Sequence, residues 1–150
     1  MKDSRKISIG AASFIVIAVL FAGFFLIKYP QKGPLIKIGG ETIKVEIADT
    51  ALKQEQGLSG RTALKDREGM LFVFDHSGVY PFWMKDMNFA IDMIWLSQSG
   101  EIIYIKKNAT PDSYPMAFGP NKDAKYVLEV VSGFSDKYNL KEGDKAEITR

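Results

Sequence analysis

A run of twenty-one residues without a charge, ISIGAASFIVIAVLFAGFFLI from Ile7 to Ile27, lies between Lys6 and Lys28. At 1.5 Å per residue a helix of that length spans roughly 31 Å, the thickness of a bilayer's hydrocarbon core. The run therefore predicts a single membrane crossing and leaves the folded core to the residues beyond it. It is longer than a typical signal-peptide core and ends in FFLIKYP, with no small-x-small cleavage site, so an uncleaved signal anchor is expected. Secretion after cleavage is the alternative. The expected plan is a basic tail (1–6), a transmembrane helix (7–27), a linker (28–34) and a domain (35–150).

Positive residues do not set the orientation, because Lys2, Arg5 and Lys6 before the run are matched by Lys28, Lys32, Lys37 and Lys44 after it. A very short basic tail ahead of one apolar run behaves as a signal sequence, which places the C-terminal domain outside the cytoplasm. Residues before Pro34 carry +4 (Lys2, Arg5, Lys6, Lys28 and Lys32 against Asp3), so of the net +2 the domain carries −2. A basic nucleic-acid-binding face loses its support. With no cysteine, disulfides, thiol catalysis and Cys-ligated zinc are excluded.

After the proline- and glycine-containing tether KYPQKGP, the runs LIKI and ETIKVEIA flank Gly39-Gly40 and predict a hairpin. In the second arm Ile43, Val45 and Ile47 alternate with Thr42, Lys44 and Glu46, giving one wet face. Asp49 or Thr50 caps a short helix over ALKQEQ, which Gly57 ends. GMLFVFD, VYPFWMKDM, AIDMIWLS, EIIYIKKNA and KYVLEVVS read as strands, and SGFSDKYNL as a final short helix. Without βα alternation, this pattern predicts a mainly β fold, a compact barrel-like or sandwich domain with one or two short helices. About 116 residues bury roughly two thirds of their unfolded surface, enough to fold without a metal or disulfide.

Charges inside the apolar stretch YPFWMKDMNFAIDMIW single out a candidate site. Along AIDMIWL both faces are apolar, so the strand is expected to be covered on both sides with Asp92 inside or at the mouth of the core. A buried carboxylate needs a donor, and Lys85 and Arg61 are the candidate partners. Arg61, Trp83, Lys85 and Asp92 thus form a candidate cluster, structural or ligand-binding. Glu129 in VLEVV reads either as the solvent side of its strand or as a second buried carboxylate able to work with Asp92. Phe82, Trp83, Met84 and Trp95 read as core or as a stacking surface for a sugar or peptide. Ser59 in GLSGR lacks the second glycine of a nucleophile elbow, and the lone His76 lacks metal-binding company, so neither a metal nor a cofactor is expected. Gly143-Asp144 reads as turn chemistry.

The segments GLSGR, EGMLFVF, FWMKDM, IDMIWL, VLEVVSG and the terminal EGD, in this order and spacing, resemble the domain of unknown function 192 family over approximately Val45 to Ile148. The resemblance implies a small, mainly β barrel-like domain, often behind a signal or anchor, and no established activity. Arg61, Lys85, Asp92, Glu129, Gly133 and Asp144 fit its pattern, whereas Asp86 and Met87 stand where the pattern has asparagine and threonine. Two functions are compatible with these residues. One is a non-enzymatic binding or accessory module at the outer face of the cytoplasmic membrane, gripping a small polar ligand or a segment of an exported protein through the Arg61/Lys85/Asp92 region. The other is a carboxylate-based hydrolase or lyase of envelope polymers, with Asp92 and Glu129 as its acid-base pair.

Overall fold

The computed structural model describes residues 33–149. The expected transmembrane helix over Ile7 to Ile27 lies outside them. Among the described residues no helix is long and apolar enough to cross a membrane.

The two β-rich runs form the predicted hairpin, β1 (Leu35–Ile38) and β2 (Glu41–Ala48), with Gly39 and Gly40 both at positive φ in its turn. Helix α1 (Ala51–Gln56) begins where the Thr50 hydroxyl accepts from the Lys53 amide and ends at Gly57, φ +50°. Strand β3 (Glu68–Gly78) follows, then β4 (Phe82–Trp83), β5 (Ile91–Leu96), β6 (Ile102–Ala109), β7 (Ala117–Phe118) and β8 (Ala124–Val131). Helix α2 (Phe134–Lys137) and β9 (Glu147–Thr149) complete the chain. Seven strands form one sheet in the order β6-β5-β8-β3-β2-β1-β9, and β4 pairs β7 apart from it.

The fold is mainly β, as expected, and the sheet curls into a half-barrel. Its outer strands approach at one end, where the Ile102 amide donates to the Asp144 carbonyl (2.8 Å) and the Ala146 amide to the Gly100 carbonyl (2.8 Å). Two details depart from the sequence reading. VYPFWMKDM is not a long strand: only Phe82 and Trp83 pair, with Phe118 and Ala117, because proline and the tight turn at Lys85–Asp86 interrupt the extended run. The pair β2·β3 is parallel, reached by a crossover through α1.

Every residue of β5 is buried, which bears out the reading of a strand covered on both faces. On one side Ile94 and Leu96 pack with Ile36, Ile43, Leu128 and Phe134. On the other Ile91, Met93 and Trp95 pack with Met70, Phe72 and Val127. Gly100, φ +81°, stands against the Ala146 carbonyl, which a Cβ would strike. Gly100→Ala is expected to lower stability by about 2 kcal/mol, from strained backbone and the forced opening of this end, as read by urea denaturation.

Candidate functional site

Asp92 is fully buried, but its partners are not the expected cations. Its Oδ1 accepts from the amides of Asn108 (2.9 Å) and Gly133 (3.2 Å), and its Oδ2 from the amide of Ser135 (2.8 Å). The carboxylate ties the end of β6 and the start of α2 to the middle of the sheet, satisfying amides that no strand or helix bond reaches. Arg61 instead grips Glu46 with both guanidinium arms, at 2.6 and 2.8 Å. That bond holds the Glu46 carboxyl below, and the Arg61 guanidinium above, their usual pKa ranges. Lys85 is exposed and makes no ion pair among the described residues. The expected pairing of Asp92 with Lys85 or Arg61 is therefore corrected, because main-chain donors fill the carboxylate's needs.

The two carboxylates expected as an acid-base pair do not share a cleft. In the register between β5 and β8, Asp92 stands opposite Val130 and Glu129 opposite Met93. Neighbouring residues on a strand point to opposite faces, so Asp92 and Glu129 look to opposite sides of one sheet. The hydrolase built on that pair has no geometry here.

Glu129 faces something different. It is 5% exposed, so its reading as a solvent-side residue is also corrected. It lines an open cleft of about 260 Å³. Helix α1 forms one wall, pinned where the Gln54 side chain donates to the carbonyls of Val73 (2.9 Å) and Ala48 (3.2 Å). Phe72, Phe74, Tyr80 and Phe82 form another, with Phe74 and Tyr80 stacked at 3.5 Å between ring centroids and Phe82 edge-on to Phe72 at 4.7 Å. At the rim stand Trp83, 53% exposed, and Lys85.

The rim is held by a staple between two loops. The Ser59 hydroxyl donates to the Lys85 carbonyl (2.9 Å), the Gly60 amide to the Asp86 carbonyl (2.8 Å) and the Asn88 side chain to the Arg61 carbonyl (2.9 Å). Asp86 adopts φ +55° in this turn. Aspartate and asparagine both tolerate the left-handed region, so Asp86 suits the turn. Asp86→Val is expected to cost about 1–2 kcal/mol and Asp86→Asn almost nothing, measured by thermal unfolding.

The Glu129 Oε2 has no hydrogen-bond partner among the described residues. Burial pushes the carboxyl up to about 8, only partly offset by the positive charge of Arg61. A glutamic acid neutral at pH 7, over an aromatic cleft, can donate a proton or receive a cation. Of the candidates named from the sequence, Trp83, Lys85 and Glu129 meet at this cleft, Arg61 lines the adjoining depression with Glu46 and Met70, and Asp92 belongs to the opposite core. Phe82 and Trp83 belong to the cleft, whereas Met84 and Trp95 are buried. Reasoning from the sequence missed Gln54, Phe74 and Tyr80 as wall residues; the sole local signal was the aromatic ring of the last two.

The family model for DUF192, described as an uncharacterized ACR, matches residues 35–148. The chain belongs to the DUF192 family. A crystal structure described as that of a candidate transcription regulator from Sinorhizobium meliloti 1021 superposes with a TM-score of 0.70 at 32% identity, covering 77% of this chain and 90% of that one. A protein of unknown function from Novosphingobium aromaticivorans DSM 12444 superposes with a TM-score of 0.70 at 28% identity, covering 79% and 89%. No curated protein matches the chain. The DUF192 assignment thus carries the fold and an unestablished activity.

Proposed function

We propose that this DUF192 domain is a non-enzymatic binding module, anchored through Ile7 to Ile27 at the outer face of the cytoplasmic membrane, which takes a small polar ligand into the cleft over Glu129. The observation that carries the reading is one buried carboxyl, with an oxygen left without a partner, on a residue that lines an aromatic-walled opening. Concave, mostly apolar sites with a few convergent polar groups are where small ligands bind. The cleft's size suits a small molecule better than a folded partner. Binding rather than hydrolysis is favoured because Asp92, the expected second carboxylate, faces the other side of the sheet.

The test is a fragment screen by ligand-observed NMR on the full chain in detergent, repeated with Trp83→Ala. Hits that compete for one site and weaken in Trp83→Ala support the reading; hits unaffected by that change place binding elsewhere. The topology is tested by adding protease to spheroplasts. Digestion of the domain is expected, and protection until lysis would overturn the orientation.

A further inference from the structure

Resting on the reading of the cleft as a binding site, we infer that its ligand class is an organic amine. The ligand's protonated nitrogen meets Glu129, and its apolar or ring-bearing body lies against Phe74, Tyr80 and Trp83. The unpartnered Oε2 lacks a donor, and an ammonium group supplies one together with the positive charge that holds the carboxyl ionised. Ring faces attract cations, so the same walls that bury the ligand's apolar body favour its charge.

The charged neighbours leave this role open. Arg61 is the positive group whose charge reaches Glu129, but its guanidinium arms are bonded to Glu46 at 2.6 and 2.8 Å. From α1 the cleft receives Glu55, from the segment between β3 and β4 Tyr80, and from the turn after β4 the exposed Lys85. The register partners of Glu129 on the flanking strands, Met70 and Met93, carry no charge. Glu55 reinforces a cation at the mouth. Lys85, open to water, is screened.

An amine ligand leaves a proton signature. Burial holds the Glu129 carboxyl up to about 8, so at neutral pH an arriving cation must displace its proton. Binding of an amine therefore releases a proton, and below that value it tightens by roughly tenfold for each unit that the pH rises. A neutral ligand hydrogen-bonded to the protonated acid shows neither effect.

The experiment is isothermal titration of the full chain in detergent with phenethylamine and its neutral counterpart phenethyl alcohol, at pH 6 and pH 8 in two buffers of different ionisation enthalpy. Glu129→Gln, which keeps shape and removes the charge, is the control for partition into micelles. The expected result is amine binding that tightens by about fiftyfold from pH 6 to pH 8, with close to one proton released at pH 6 and at least tenfold loss in Glu129→Gln. The alcohol should bind no better to the wild type than to the variant. Equal, pH-independent binding of both compounds would overturn the amine inference and leave the cleft as a binding site. Binding of neither above the Glu129→Gln control would overturn both.

Discussion

Asp92→Ala is expected to destabilise the domain by about 4 kcal/mol. Three amides, on Asn108, Gly133 and Ser135, donate to this one carboxylate. Each buried donor left without an acceptor costs about 1–3 kcal/mol, and Asp92 is fully enclosed, so water cannot easily replace it. Asp92→Asn keeps the volume but offers one acceptor oxygen in place of two, and its amide confronts another donor; it is expected to lose about half as much. Lys85→Met is expected to leave stability within about 0.5 kcal/mol, because Lys85 is exposed and makes no ion pair among the described residues. Combined with Asp92→Ala, its effect is additive. Chemical denaturation of the four proteins reads this directly. A coupling above about 1 kcal/mol between the two positions would restore the ion pair and sink the amide account.

Glu129→Gln should behave in the opposite way, stabilising the domain by roughly 3–4 kcal/mol at pH 8 and by almost nothing at pH 4. The usual carboxylate value is 4.5, and in the folded chain burial raises it to about 8. Below pH 4.5 folded and unfolded chains both hold the proton, so stability is fully present there. Between the two values the unfolded chain releases the proton while the folded chain keeps it, and stability falls as pH rises. The slope is about 1.4 kcal/mol per pH unit, lessened by whatever relaxation lets water reach the carboxyl. Glutamine never ionises and escapes this loss. Urea denaturation of both proteins from pH 4 to pH 9 is the measurement. Parallel stability curves would mean that Glu129 is ionised and solvated in the native state.

Much of the scaffold was legible because it rests on local chemistry. Gly39-Gly40 supplies the positive φ of the hairpin, Thr50 caps α1, and alternation along ETIKVEIA marks its buried and wet faces. The double burial of β5 could be read from apolar residues at both parities of IDMIWL. What failed depended on residues far apart. FWMKDM is rich in strand formers, yet only Phe82 and Trp83 find a partner strand, and that partner, Ala117–Phe118, is too short to leave a signal of its own. The parallel pairing of β2 with β3 likewise depends on how the crossover through α1 packs.

The candidate site divides in the same way. The sequence by itself determined that an apolar strand would carry a buried carboxylate at Asp92, since a lone charge between large hydrophobic residues has little chance of reaching water. It also singled out Trp83, Lys85 and Glu129, three of the residues that line the cleft, but not Gln54, Phe74 or Tyr80 in its walls. Only the tertiary structure decided which groups answer those charges. The donors to Asp92 come from 16, 41 and 43 positions away, and they are main-chain amides, which every residue but proline possesses and no side-chain pattern reveals. Glu129 was decided at the same level. Its alternation in VLEVV was plain, but whether that face met water or a roof of aromatic rings depended on α1 and β4 folding over it, and burial rather than sequence position sets the proton affinity of a carboxyl.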